Sequence, residues 1–104
     1  MCTMIAQQIP VLGSGKTAGG WLDVRQANVS YDHPFDLAVE HALNLDFVNE
    51  ALGPGARVAV ELTAVSARAL ATTILAVLER AEAGGHIVEE PRARPAPAPA
   101  PAPA

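Results

Sequence analysis

Only 4% of this 104-residue chain is aromatic, and cysteine occurs once, as Cys2. A lone thiol excludes an internal disulfide, which leaves packing, metal ligation or nucleophilic chemistry for it, and it fits a reducing cytoplasmic compartment. With so few rings, the core must be assembled from Val, Leu, Ile and Ala, which bury less area per residue. Seven basic residues lie scattered among eleven acidic ones, for a formal charge of −4. No basic patch is available to neutralise phosphates, so nucleic acid is not the expected partner. No apolar run reaches the roughly 18 residues of a membrane span, and no basic region precedes a long apolar stretch as in a signal peptide.

Half of the residues are nevertheless apolar. From Glu89 the composition changes: Pro91-Arg92-Ala93-Arg94 leads into strict Pro-Ala alternation over Pro95–Ala104. Proline at every second position removes backbone donors and alanine has little to bury, so residues 86–104 are expected to form a disordered, polyproline-biased tail. Residues 1–85 remain as a single small domain. That is near the size at which one core becomes marginal, so a homodimer is expected.

Turn clusters divide this domain into strand-like runs. Thr3 to Val11 reads as a first strand with Ile5, Gln7 and Ile9 on one face, and the glycines at 13, 15, 19 and 20 read as an open turn. Trp21 to His33 reads as a second strand that changes phase between Leu22/Val24 and Ala27/Val29/Tyr31, which calls for a β-bulge near Arg25-Gln26. His41–Val48 and Arg57–Leu62 alternate cleanly, with Leu43, Leu45, Phe47, Val58, Val60 and Leu62 inward. Thr63 is an N-cap candidate, the residues Ala67, Leu70, Ala71, Ile74, Leu78 and Ala81 form an apolar helical stripe, and Gly84-Gly85 supplies the stop. The expected fold is α+β: a four-stranded antiparallel sheet with one C-terminal amphipathic helix packed on its apolar face. The outer face, carrying Asn44, Asp46, Ala59 and Glu61, is either solvated or the lining of a shallow cleft closed by a second subunit, whose acids would favour a cation. Trp21 reads as a ring capping the end of the core, with an interface anchor as the alternative.

Met1-Cys2-Thr3, Gly13-Ser14-Gly15-Lys16, Trp21, Asp32-His33-Pro34 and Glu40-His41-Ala42-Leu43-Asn44-Leu45-Asp46-Phe47 together resemble a small family of uncharacterised bacterial proteins. The resemblance covers residues 1 to about 80. It implies a free-standing small protein of that kind and no particular activity.

Three groups of residues carry possible chemistry. Gly13-Ser14-Gly15-Lys16-Thr17 imitates the end of a phosphate-binding loop, but Pro10 stands where the first glycine is required and Ala18-Gly19-Gly20 follows where a helix should begin. The second is the polar corner between Tyr31 and Asp46. There His33 and His41, with Glu40 or Asp46 assisting and Cys2 as a thiolate, could hold a divalent transition metal such as zinc. The spacing matches no established metal pattern, and the structural reading is a turn in which Asp32 accepts backbone hydrogen bonds. The third is Cys2 as an N-terminal nucleophile, a feature in which the chain is similar to glutamine amidotransferases. Those domains are longer, and the chain lacks their glutamine-binding motifs. His86, after the helix stop, has no expected role. The residues therefore point to a non-enzymatic interaction protein that pairs with itself or another protein, with no cofactor, nucleic acid or membrane. The alternative is a metal-binding or thiol-dependent site built from Cys2, His33 and His41, with Cys2 the candidate catalytic residue.

Overall fold

The computed structural model describes residues 5–87. Their order is β1 (Ile5–Thr17), β2 (Gly20–Asp32), β3 (Ala42–Val48), a 3-10 turn (Glu50–Leu52), β4 (Arg57–Leu62) and α1 (Ala64–Ala83). The strands form one sheet in the order β1-β2-β3-β4, every neighbour antiparallel. Hairpin topology of this kind follows from short turns between runs of period two. The chain divides into two units, residues 1–72 and 73–104, and α1 runs through the division.

Cross-strand register assigns each side chain to a face. Ile5, Tyr31, Leu43 and Leu62 form one row, Gln7, Val29, Leu45 and Val60 the next, and Ile9, Ala27, Phe47 and Val58 the third. That face is apolar apart from Gln7 and the Tyr31 hydroxyl. The intervening rows, Ala6-Ser30-Asn44-Glu61 and Gln8-Asn28-Asp46-Ala59, make the opposite face polar. A period of two in each strand produces this separation.

The first hairpin differs from expectation. β1 does not end near Val11: Gly13 to Thr17 continue as strand, paired with Val24 down to Gly20. The open turn shrinks to Ala18-Gly19. Thr17 closes it, its Oγ1 accepting from the Gly19 amide at 3.2 Å and donating to the Gly20 carbonyl at 3.0 Å. Gly20 has φ +120°, a conformation that side chains other than glycine's disfavour. The bulge lies across the ladder from its expected place. The register shifts between Pro10 and Gly13 of β1, opposite Gln26 and Val24. One extra residue there bends the hairpin and brings β1 towards β4, although the two are opposite edges of the sheet. A Cβ on Gly15 would stand 3.0 Å from Val58 Cγ2 and 3.5 Å from Val24 Cγ2. A side chain there would require Val58 to shift by a few tenths of an ångström.

The helix termini match their sequence signals. Thr63 Oγ1 accepts from the Ser66 amide at 3.1 Å and donates to Ser66 Oγ at 2.9 Å, satisfying one of the first-turn amides. At the other end Gly85 has φ +72°, the His86 amide donates to the Ala81 carbonyl, and the Gly85 amide donates to the Glu82 carbonyl. This paired closure is a Schellman motif, and His86 takes part in it through its backbone.

Burial departs from expectation more than topology does. Among the described residues the buried apolar set is Val24, Ala27 and Ala42, all small. No residue of α1 is buried: its stripe residues Leu70, Ile74 and Leu78 are 44%, 50% and 49% exposed. Ile5, Ile9 and Val60 of the apolar sheet face are also exposed, while Leu43, Leu45, Phe47 and Leu62 are half-buried. Trp21 is exposed rather than capping a core, with Lys16 Nζ 5.8 Å from its ring centroid across the hairpin. No described helix is long and apolar enough to cross a membrane. The expected Pro-Ala tail lies outside the described residues.

Candidate functional site

β2 and β3 end at one corner, joined by residues 33–41, and the expected polar cluster gathers there. His33 and His41 flank this loop and bring their rings to 4.7 Å between centroids, with Tyr31 5.8 Å from His41. His33 Nδ1 lies 3.0 Å from the Glu40 carbonyl oxygen. A carbonyl only accepts, so Nδ1 carries the proton in the neutral ring and Nε2 keeps its lone pair. Asp32 Oδ1 accepts from the His33 amide at 2.7 Å, the turn role expected for a short acid before His-Pro.

The other proposed ligands do not join the imidazoles. Glu40 meets His33 through its backbone, not its carboxylate. Asp46 is engaged by Arg57, whose Nε donates to Oδ1 at 3.0 Å and whose second nitrogen reaches Oδ2 at 2.8 Å. Among the described residues no group of three or more His, Cys, Asp or Glu side chains is arranged to hold a metal. Cys2 lies outside the described residues.

A second feature of this corner had no expectation attached to it. Glu61, on the polar face of β4, turns its carboxylate to the start of the loop and accepts three consecutive backbone amides. These are Phe35 at 2.6 Å to Oε2, and Asp36 at 3.1 Å and Leu37 at 2.9 Å to Oε1. Successive amides converging on one carboxylate form an anion nest. The bonds from Leu37 and Phe35 hold the Glu61 carboxyl below the usual carboxylate range, only partly opposed by desolvation. The loop is thereby fixed to the sheet while the Phe35 ring stands fully in solvent, 101% exposed.

Between the loop and the sheet lies a shallow cleft of about 330 Å³. Its floor is the polar face: Asn28 and Ser30 from β2, Asn44 and Asp46 from β3, and Arg57 and Glu61 from β4, with Phe35 at the rim. Asp46 is paired with Arg57, and the Asp32 and Glu61 carboxylates accept backbone amides. With three acids, Asp32, Asp46 and Glu61, and one guanidinium, the lining keeps an acidic balance. Asn44 Nδ2 donates to the Asp32 carbonyl at a long 3.4 Å, and its Oδ1 is shielded without a hydrogen-bond partner among the described residues. Asn28, Ser30 and Phe35 were not singled out from the sequence. The even-numbered polar series Gln26, Asn28, Ser30 and Asp32 on β2 was the available signal, since it continues the parity of Asn44 and Asp46 across the register.

These features define a small α+β protein, a curled antiparallel sheet with a polar cleft on one face followed by one long open helix. The chain belongs to a family of unknown function, DUF6295, whose match spans residues 1–87 and so covers the whole sheet and helix. No curated protein and no solved structure matches it.

Proposed function

We propose that this chain is a small non-enzymatic, cytosolic interaction module that works as a homodimer, a second copy covering the apolar arc of α1. The observation that carries this reading is the open arc of α1, together with a buried apolar set that among the described residues is Val24, Ala27 and Ala42. At 100° per residue, Val77, Leu70, Ala81, Ile74, Ala67, Leu78, Ala71 and Leu75 fill an arc of about 160°, the width of a core-facing helix. Within it Ala67, Leu70, Ile74, Val77 and Ala81 recur at alternating intervals of three and four, the spacing of a helix–helix seam.

Energy and area both favour a permanent partner. Covering the half-open Leu70, Ile74, Leu75, Val77 and Leu78 contributes on the order of 1 kcal/mol each. Their sum is comparable to the whole stability of a small domain. A 20-residue helix is about 30 Å long, so the arc offers on the order of 450 Å². A stable interface takes about 800 Å² per partner, and Ile5, Ile9 and Val60 of the sheet face are further open apolar residues. A second copy is the partner present wherever the chain is made, and a two-fold pair is the commonest solution.

Sedimentation equilibrium of the full chain is the test. A dimer that persists to sub-micromolar concentration, with a melting temperature that rises with protein concentration, is the expected result. A stable folded monomer at micromolar concentration sinks the reading.

A second reading rests on the paired imidazoles of His33 and His41, with His33 held through Nδ1 on the Glu40 carbonyl. A thiolate from Cys2 would complete a three-ligand metal site. Elemental analysis of tag-free protein tests it: stoichiometric zinc lost in both Cys2→Ser and His33→Ala would establish the metal site, and metal-free protein removes it.

A further inference from the structure

The edge of a sheet offers a row of backbone donors and acceptors to any strand that arrives, and proteins guard against this. The two edges here, β1 and β4, are guarded differently. β4 carries Arg57 and Glu61, and its Val58 is approached by the far half of β1 at Gly15. The first half of β1 has neither protection. No charge occurs between Ile5 and Gly15, residues 5–10 are all exposed, and no described strand lies on their outer side. Edges that must stay unpaired commonly carry a charge, often a lysine, which keeps a second strand away.

Pro10 fixes which groups this edge presents. It is paired with Gln26 within the ladder but has no N–H to give, so it takes a non-hydrogen-bonded position and its backbone faces away from β2. Backbone direction alternates along a strand, so Ala6 and Gln8 also turn their N–H and C=O groups outward. These positions are self-complementary about Gln7. With two β1 strands laid antiparallel and their Gln7 residues opposite one another, Ala6 meets the partner's Gln8 and Gln8 meets the partner's Ala6, each pair exchanging two backbone hydrogen bonds. Ile5 then lies opposite the partner's Ile9 and Ile9 opposite the partner's Ile5, which covers side chains left more than half exposed in one chain. Pro10 has no donor to extend the ladder, so pairing weakens beside it and one register is favoured.

We propose that β1 pairs edge to edge with β1 of a second copy, centred on Gln7, joining the two four-stranded sheets into one. This rests on the homodimer reading and names a surface for it on the sheet. The arc of α1 offers on the order of 450 Å² where a stable dimer takes about 800 Å² per partner, so a lasting pair needs a further surface of this chain. An uncharged strip is where two copies of a chain of net charge −4 meet with least repulsion.

Sedimentation equilibrium of the full chain carrying Gln7→Lys, alone and mixed with the Gln7→Glu chain, tests the pairing. Two opposed lysines should weaken self-association about fivefold or more, and the equimolar mixture should recover it, which a merely misfolded variant would not do. In the parent, the Ala6 and Gln8 amides should exchange with deuterium more slowly as protein concentration rises, and Gln7→Lys should abolish that protection. The proposal is overturned if Gln7→Lys associates as the parent does, if mixing recovers nothing, or if both amides exchange freely in a dimer. A dimer that Ile74→Glu breaks and Gln7→Lys leaves intact overturns the edge pairing alone. A parent that is monomeric at micromolar concentration overturns the homodimer reading with it.

Discussion

The two faces of this sheet are built from the same four strands, with residues one position apart, yet they are finished to different degrees. On the polar face the charged side chains have found partners inside the chain: Asp46 holds Arg57, and Glu61 holds three loop amides. On the apolar face of the sheet Ile5, Ile9 and Val60 remain open. The arc of α1, taken by itself, is likewise exposed. Polar groups can be satisfied one at a time by a single hydrogen bond, whereas an apolar surface is satisfied only by area, and a chain this short has little area to give itself. The polar face is thus satisfied by single contacts from within, whereas apolar surface of the described residues is left open.

The comparison breaks most decisively at Ile74, near the middle of the helical arc. In a monomer a half-exposed isoleucine could become glutamate within about 0.5 kcal/mol, as surface substitutions do. If a second copy covers the arc, Ile74→Glu places an unpaired charge in an apolar interface and costs at least ~3 kcal/mol. Sedimentation should then show dissociation, and circular dichroism should show loss of structure at concentrations where the parent is folded. An unchanged sedimentation profile and melting temperature would place α1 outside any interface.

The next effect comes from the bend that carries the first hairpin towards β4. Gly15→Val would put a branched side chain where even a Cβ meets Val58 at 3.0 Å. Overpacking of that kind costs about 1–3 kcal/mol, so chemical denaturation should show a lower midpoint with the slope retained. Val58→Ala in the same chain should recover part of the loss by opening the space. If Gly15→Val proves neutral, the curl does not depend on this approach.

Which parts of this architecture could be read from the sequence follows from how local their causes are. Leu43, Leu45 and Phe47 alternate against Asn44 and Asp46, and Thr63 and Gly84-Gly85 bracket the apolar stripe, so β3, β4 and α1 carry their own signals over a few residues. Gly13 to Thr17 did not read as strand because the same glycines serve a turn or a close approach. What decides between them here is Val58, more than forty residues away in the chain. The bulge was expected on β2 near Arg25-Gln26, whereas the extra residue lies on β1 between Pro10 and Gly13, where no change of phase had been read. His33 and His41 were correctly placed at one corner. The nest around Glu61 joins β4 to a loop some 25 residues earlier, and no local pattern announces it.

That nest gives the polar side its own pH dependence, smaller and more local than the effects above. The folded state lowers the Glu61 pKa through the backbone bonds from Leu37 and Phe35. The unfolded state therefore binds the proton more tightly, and the contribution of the nest is fully present above the unfolded-state value of about 4.3. It is lost as the pH falls through the lowered folded-state value. Amide exchange at Phe35, Asp36 and Leu37 should accelerate, relative to the intrinsic rate, across that acid window while β3 stays protected. Glu61→Gln should remove the pH step and show the faster exchange already at neutral pH. Protection that is flat with pH in the parent would mean the loop is held by something other than this carboxylate.

The smallest effect should come from the pair that looks strongest on distance alone. Arg57 meets Asp46 through two contacts at 3.0 and 2.8 Å, but the arginine side chain is half in solvent, where screening and side-chain entropy offset most of the attraction. A double-mutant cycle with Asp46→Asn and Arg57→Gln should give a coupling energy of about 0.5 kcal/mol or less, falling further in molar salt. The value of the pair lies in keeping two opposite charges from presenting themselves separately to the cleft. The single variants should therefore change the charge of the cleft more than they change stability: Asp46→Asn leaves Arg57 facing Asp32 and Glu61, and Arg57→Gln leaves three carboxylates with no guanidinium. A coupling above ~2 kcal/mol would instead make this pair a structural strut and remove that distinction between the two faces.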